Sequence, residues 1–457
     1  MHPLIAPERV LPTLNADGTR NRIRPRLYSG PLLRKRRIVA WALVVLFVGL
    51  PWLKIGGKPA IFLDVVQREF SLFGHTFLAT DGVLLMLLML TIFAAVFWTT
   101  ALVGRAWCGW GCPQTVYMEF LFRPIERLFE GKRESQLELD KRGGSLRRLL
   151  KNVVFLLLAF LLANVFLSYF VGTEALRSWM TEAPSKHLAG FLVVAVTTGL
   201  VFFDFAYFRE QMCTVICPYA RLQSVLLDRS SLVIGYDVKR GEPRSKGKQK
   251  PGNGDCIDCQ ACVVACPTGI DIRQGLQLEC IACAQCVDAC DSIMTRIHKP
   301  LGLIRYAAQD TLETGNKAPL LRPRVVIYSI LLLGLLVTLS SALLVKPGAE
   351  VTILRGIGAP FSESGPQIVN QIRIKVRNRS SSLQRYHVEL ADLPAAQLIA
   401  PEDPLPIAAG EQRTTSVFVM APKSVFSRGS RAVHFRLTDE HDYRAEFPYE
   451  LLGPETP

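Results

Sequence analysis

No cysteine occurs before Cys108 or after Cys290, although the chain of 457 residues contains twelve. Thiols confined to close-spaced sets point to metal ligation in a reducing compartment rather than to disulfides. Acidic residues are outnumbered, 39 Asp and Glu against 53 Lys and Arg, for a formal net charge of +14. No basic surface interleaved with aromatics accompanies that excess, so nucleic acid is not an expected partner. Histidines number seven, and none forms a helical pair inside an apolar run. His75 and His187 each precede such a run and read as solvated loop residues rather than as haem or metal ligands. No glycine-rich nucleotide fingerprint follows a strand, which argues against a flavin or nicotinamide site. A cleavable signal peptide is not expected either: the first apolar run starts at Ile38, after a long polar lead, and no small-residue cleavage site follows it.

What is abundant is apolar sequence, 49% of the chain. Stretches near the roughly 20 residues needed to cross a bilayer occur five times: Ile38–Leu53, Val83–Val103, Val153–Val171, Leu188–Phe208 and Val325–Val345. The first is short and broken by Pro51. The run from Val83 to Val103 carries no charge, which is poor design for a buried core helix. Basic residues gather at Arg22, Arg24, Arg26, Arg34, Lys35, Arg36 and Arg37, and again from Lys141 to Lys151. Their placement beside apolar runs indicates topology and contact with anionic headgroups of membrane lipid. The loops holding Lys54, Lys58 and Arg68, and Arg177 and Lys186, are poorer in positive charge. The expected organisation is a cytoplasmic basic arm over 1–37, then four transmembrane helices as two repeated hairpins over 38–208. A cytoplasmic domain follows over 209–324, then a fifth span over 325–345 and an outer domain over 346–457.

Cys256-x2-Cys259-x2-Cys262-x3-Cys266-Pro267 is followed by Cys280-x2-Cys283-x2-Cys286-x3-Cys290. In bacterial two-cluster ferredoxins this spacing presents three thiolates to one [4Fe–4S] cluster while the fourth cysteine reaches its neighbour. Cys256, Cys259, Cys262 and Cys290 are thus expected to hold one cluster, and Cys280, Cys283, Cys286 and Cys266 the other. A zinc ribbon also uses Cys-x2-Cys pairs, but zinc takes four local ligands, not a run of three plus a distant fourth. Asp291 stands where the second repeat would have proline. The Lys-, Gly- and Pro-rich stretch Gly241–Gly254 reads as a mobile tether.

The second and fourth apolar runs end alike, in Cys108-Gly-Trp-Gly-Cys112-Pro113 and Cys213-Thr-Val-Ile-Cys217-Pro218. Each is Cys-x3-Cys-Pro on the side expected to be cytoplasmic. In a helix, i, i+4 spacing puts both sulfurs on one face. Thiolates are soft ligands that favour Cu(I), Zn or iron–sulfur iron, so Cys108, Cys112, Cys213 and Cys217 read as a metal site served by the ferredoxin. The alternatives are a third iron–sulfur cluster on the same four residues and inert packing cysteines. Asp204, an acid inside the fourth run, is a functional suspect expected to pair with Arg209.

Beyond residue 346 the pattern turns to alternation. Ile372, Ile374 and Val376 face one way against Arg373, Lys375 and Arg377, and Val433, Phe435 and Leu437 against His434, Arg436 and Thr438. Period-2 strands split by Pro, Gly and Ser clusters predict an antiparallel sandwich serving contact with a partner.

Cys108-Gly-Trp-Gly-Cys-Pro-Gln114, Gln211-Met-Cys-x3-Cys-Pro-Tyr-Ala-Arg221, Cys266-Pro-Thr-Gly-Ile-Asp-Ile-Arg273 and Glu279-Cys-Ile-Ala-Cys-Ala-Gln-Cys-Val-Asp-Ala-Cys-Asp291, followed by Gly302-Leu-Ile-Arg-Tyr306, resemble the FixG/CcoG family. These are bacterial inner-membrane polyferredoxins, accessory to the cbb-type cytochrome c oxidase. The resemblance covers nearly the whole chain and implies an immunoglobulin-like outer domain on the periplasmic side. It also implies a cupric reductase step in which Cu(II) becomes Cu(I) at Cys108, Cys112, Cys213 and Cys217, for the oxidase's copper centre. Implied partners are oxidase subunits or copper chaperones and transporters; the electron donor stays unnamed. Two other roles remain open, a quinol-linked electron-transfer subunit and a non-catalytic assembly scaffold.

Overall fold

The computed structural model describes residues 9–454 except 16, 18, 56, 57, 67, 68, 79, 80, 144, 246–251, 316–318, 320, 346, 347, 381, 409, 428, 441 and 442. The centre of the tether expected over Gly241–Gly254, the boundary at Lys346, and Arg68 lie outside the described residues. The chain forms two compact units, one of residues 1–53, 61–65 and 82–339, the other of 54–60, 66–81 and 340–457.

In the first unit Pro31–Gly49 forms α1, with Pro31 at its first turn, where a missing N–H costs nothing. Gly82–Val103 forms α2, and a single turn at Ala106–Trp110 is α3. Arg123–Glu130 forms α4. Leu146–Val171 forms α5, capped by Ser145, whose side chain accepts from Arg147 N. Leu188–Phe203 forms α6 and runs into a π-turn over Asp204–Phe208. Two strands, β1 at Val233–Tyr236 and β2 at Ile304–Ala307, pair antiparallel. The helical segments between them include α7 at Ala261–Ala265 and α8 at Gln285–Arg296. Pro323–Leu344 forms α9.

Among the described residues four helices are long and apolar enough to cross a membrane: Gly82–Val103, Leu146–Val171, Leu188–Phe208 and Pro323–Leu344. Side chains such as Phe93, Leu161, Leu200 and Leu333 lie exposed along them, a cost in water that lipid removes. The first expected span, Ile38–Leu53, differs. Arg34, Lys35, Arg36 and Arg37 occupy the early turns of α1, leaving an apolar length from Ile38 to Gly49 of about 18 Å at 1.5 Å per residue, short of the roughly 30 Å of hydrocarbon. Nevertheless α1 reaches the far end of α5. Tyr169 Oη donates to Phe47 O at 2.6 Å, and their rings lie 5.5 Å apart. The donor that would follow in an uninterrupted helix is residue 51, a proline without an N–H, so the tyrosine hydroxyl takes its place. The third span starts at Leu146 rather than Val153 because the Ser145 cap begins the helix inside the basic segment. Helices α2 and α9 lie antiparallel: Arg322 donates to Ala101 O at 2.9 Å, and Trp98 Nε1 to Ser329 Oγ at 2.8 Å.

The second unit is an antiparallel sandwich. Its strands are β3 (Ala349–Arg355), β4 (Ser362–Ser364), β5 (Gln367–Asn378), β6 (Gln384–Leu390), β7 (Gln397–Ile399), β8 (Leu405–Ile407), β9 (Gln412–Pro422), β10 (Ser430–Asp439) and β11 (Arg444–Leu452). One sheet runs β3-β5-β9-β7 with β4 paired to β5, the other β8-β6-β10-β11. Ile372, Ile374, Val376, Val433, Phe435 and Leu437 all point into the core, as their alternation requires. The loop ahead of α2 joins this unit, where Glu69 pairs with Arg377.

Candidate functional site

The ferredoxin segment builds each thiol loop the same way. Asp258 and Gln260 have left-handed backbones, and so do Ala282 and Ala284 at the equivalent positions of the second repeat. Such conformations are uncommon for residues with a Cβ, and here they fold each Cys-x2-Cys-x2-Cys run around a hollow. Cys256, Cys259, Cys262 and Cys290 line one cavity of about 340 Å³ with Tyr236 and Arg273. Cys266, Cys280, Cys283 and Cys286 line another of about 330 Å³, which Cys262 also borders. Thiols ringed around a hollow fit a cuboidal cluster. Burial pushes the Cys262 and Cys283 thiols up to about 12, and bound metal cations would offset the charge of their thiolates.

The two Cys-x3-Cys-Pro segments are copies in structure as well as in sequence. Cys112 N donates to Trp107 O and Cys217 N to Met212 O, each at 2.8 Å. Cys112 and Cys217 are both extended, and each stands just before a proline that opens a new helix, Pro113–Tyr117 or Pro218–Leu226. Neither pair lies on one continuous helix, so the condition under which i, i+4 spacing puts both sulfurs on one face is not met. Clash with the following proline drives the preceding residue out of helical geometry, and the chain turns at the second thiol of each pair.

That turn brings the segment against the ferredoxin. Cys108, Ile281 and Cys283 pack into one buried cluster, with Cys213 and Tyr219 against it. The approach needs Gly109, since a Cβ there would lie 2.6 Å from Ile281 O and 2.8 Å from Cys283 N. Trp110 Nε1 donates to Tyr306 Oη at 2.9 Å, and that hydroxyl donates to Ala282 O at 2.6 Å. Cys108 Sγ donates to Gln223 Oε1 at 3.1 Å. Burial pushes Cys108 up to about 11 and Cys213 up to about 12. The neighbouring thiols Cys108, Cys112 and Cys217 add to the rise at Cys213, so the four share one electrostatic environment. A hollow lies beside Cys213, bordered by Glu119, Arg123, Arg209 and Glu210 and by the apolar Met118 and Ile281.

Other expectations resolve differently. Arg24 and Arg36 do not face lipid headgroups; both are buried. Arg24 binds Glu126 and Asp140, while Arg36 Nε donates to Gly109 O at 3.0 Å. Asp204 does not pair with Arg209. The Arg209 guanidinium holds both oxygens of Glu126 at 2.8 Å, and Asp204 Oδ1 has no hydrogen-bond partner. Residues separated by a hundred positions are paired here, and no local spacing announces them. His187 stacks on Trp179 at 4.6 Å and contacts Glu182. His75 falls on a strand, its side chain outside the described residues.

Comparison with known proteins accords with this geometry. Residues 208–309 match a 4Fe-4S dicluster domain, residues 85–134 a 4Fe-4S binding domain, and residues 339–454 the IG-like fold at the C-terminal of FixG. Protein RdxA of Cereibacter sphaeroides is 34% identical over 88% of this chain and 90% of its own length. Protein RdxB of the same organism is 31% identical over 93% and 94%. The nitrogen fixation protein FixG of Rhizobium meliloti is 28% identical over 81% and 82%. Two thiol-ringed hollows under a bundle of apolar helices, an immunoglobulin-like sandwich and similarity along most of its length make this chain a member of the FixG family, an iron–sulfur electron-transfer protein of the membrane.

Proposed function

We propose that this protein is a cupric reductase: electrons pass from its ferredoxin domain to Cys108, Cys112, Cys213 and Cys217, where Cu(II) accepts one electron and becomes Cu(I) for assembly of a cbb-type cytochrome c oxidase. The observation that carries the reading is the packing of Cys108 and Cys213 against Cys283. It leaves no intervening domain between the thiols of a ferredoxin loop and those at the ends of α2 and α6. Cys256, Cys259, Cys262 and Cys290 would hold one [4Fe–4S] cluster, and Cys266, Cys280, Cys283 and Cys286 the other. Bound there, such clusters supply single electrons at potentials spanning roughly −700 to +450 mV.

The chain's own residues do the rest. Thiolates hold Cu(I) in preference to harder ions, so binding at the four cysteines draws the couple toward the reduced form and retains the product. Burial of Cys108 keeps solvent from that product. The excess of Lys and Arg in the N-terminal arm and the 104–152 loop supports a cytoplasmic ferredoxin domain in a bacterial inner membrane, with the immunoglobulin-like domain periplasmic. Exposed Arg34, Lys35 and Arg37 suit anionic lipid headgroups. Oxidase subunits, copper chaperones or transporters would receive the ion.

The test is metal analysis of anaerobically purified protein beside the Cys213→Ala/Cys217→Ala variant. The variant should keep the iron of two clusters while losing copper binding and Cu(II) reduction. One observation favours a second reading. The match to a 4Fe-4S binding domain over residues 85–134 takes in Cys108 and Cys112, so the same four thiols suit a third cluster in a membrane electron-transfer chain. Loss of about four irons with copper binding unchanged would establish that reading instead.

A further inference from the structure

Gln223 belongs to the helix Pro218–Leu226 that follows the second thiol pair, and its side chain is sealed from solvent at 1% exposure. Its amide is fully engaged. Oε1 accepts from Cys108 Sγ at 3.1 Å, and Nε2 donates to Tyr219 Oη at 2.8 Å and to Thr100 Oγ1 at 3.1 Å. Thr100 in turn donates to Val96 O at 2.8 Å. This arrangement suits a thiol, which has a proton to give. A metal-bound Cys108 is a thiolate, an acceptor without a proton, and Oε1 facing it would set two acceptors against each other in a buried site.

A side-chain amide can serve both states. A half-turn exchanges Oε1 and Nε2 without changing shape, so that Nε2–H points at the sulfur. Tyr219 Oη, a hydroxyl that accepts in the first arrangement, donates to Oε1 in the second, and Thr100 Oγ1 turns its single hydrogen from Val96 O to Oε1. We propose that Gln223 is a positioning residue of the thiol centre, supplying an N–H···S hydrogen bond to Cys108 once that sulfur holds a soft metal. The inference rests on the reading that the four membrane-edge thiols bind metal. It holds equally for Cu(I) or an iron–sulfur cluster, because both bind the sulfur as thiolate. The displaced thiol proton leaves to solvent water.

The test uses full-length protein in detergent under anaerobic conditions. Gln223→Glu keeps the size and an acceptor for Tyr219 but, when ionised, has no hydrogen for the sulfur. Gln223→Met, neutral and of similar length, carries the same test if the carboxylate prevents folding. Gln223→His restores a ring N–H. Cu(I) affinity, read by competition with a chromogenic chelator, should fall 10–100-fold in the Glu and Met variants, as outer-shell losses do, and recover in Gln223→His. Ferredoxin absorbance should not change in any of them. If the centre holds iron, the Glu and Met variants should keep wild-type iron while the midpoint potential of the added cluster drops. Wild-type affinity, iron content and potential in Gln223→Glu and Gln223→Met would overturn the assignment of Gln223 alone. If Cys213→Ala/Cys217→Ala loses neither copper nor iron, the metal site itself is overturned, and this inference with it.

Discussion

Asp288 accepts the backbone N–H of Leu33 at 2.7 Å and that of Leu32 at 3.2 Å. A carboxylate from α8, set between Cys286 and Cys290, therefore caps the N-terminus of α1 and ties the first helix to the ferredoxin loops. The contact is close enough to require glycine next door: a Cβ at Gly30 would lie 2.2 Å from Asp288 Cγ. Helix N-termini favour a negative side chain because their first N–H groups are unpaired.

Replacing Asp288 by Ala should cost about 0.5–2 kcal/mol, the usual range for a lost cap. Thermal bleaching of the cluster absorbance would then begin at lower temperature while cluster content stays at wild-type level. An unchanged bleaching profile would show that the cap does not hold the arm.

Gly109→Ala tests the thiol-to-ferredoxin contact. The added methyl has no room against Ile281 O and Cys283 N, and both are backbone atoms that cannot swing aside. The expected result is intact ferredoxin absorbance with Cu(II) reduction slowed at least tenfold in stopped-flow measurements, since electron transfer depends steeply on that approach. Gly199→Ala, on α6 with open space around it and an ordinary helical backbone, is the matched control.

Cys259→Ser bears on the ligand assignment. Cys259 is exposed and borders the hollow that Cys290 closes, so its loss should damage one cluster and leave much of the other's spectrum. Zinc in place of iron in anaerobically purified wild type would count against the whole assignment.

The buried ion cluster predicts an acid limb to stability. Burial by itself would raise Glu126, but Arg209 and Arg24 outweigh it and hold the carboxyl well below its ordinary value of 4.5. A depressed carboxyl stabilises fully above its unfolded value, and the contribution is lost as pH falls through the folded value. Wild type should therefore lose stability as pH drops below about 4.5. Glu126→Gln should be less stable at neutral pH, by about 3–5 kcal/mol for an opened buried pair, and should show a flatter acid limb in pH-dependent melting.

Much of this protein was legible because its signals are local. The doubled x2, x2, x3 cysteine spacing, the uncharged run from Val83 to Val103 and the alternation of Ile372, Ile374 and Val376 each express one physical period or one ligand geometry within a short stretch. Both halves of each thiol-ringed hollow follow from spacing alone, and so does the likeness of the two Cys-x3-Cys-Pro segments.

Other features depend on residues far apart in the chain, and those only the tertiary structure decided. Arg24 and Arg36 look like any basic residue flanking a membrane helix, yet Glu126, Asp140 and Gly109 O claim them. Asp204 and Arg209 are near in sequence, yet the Arg209 guanidinium is taken by both oxygens of the distant Glu126. Gln223 carries no motif, and its amide meets Cys108 only because helices from both hairpins fold against each other. Local spacing determines which atoms a segment can present, and the packing of distant segments determines which of them meet in a low-dielectric interior, where a charge or a hydrogen bond left unpaired is most costly.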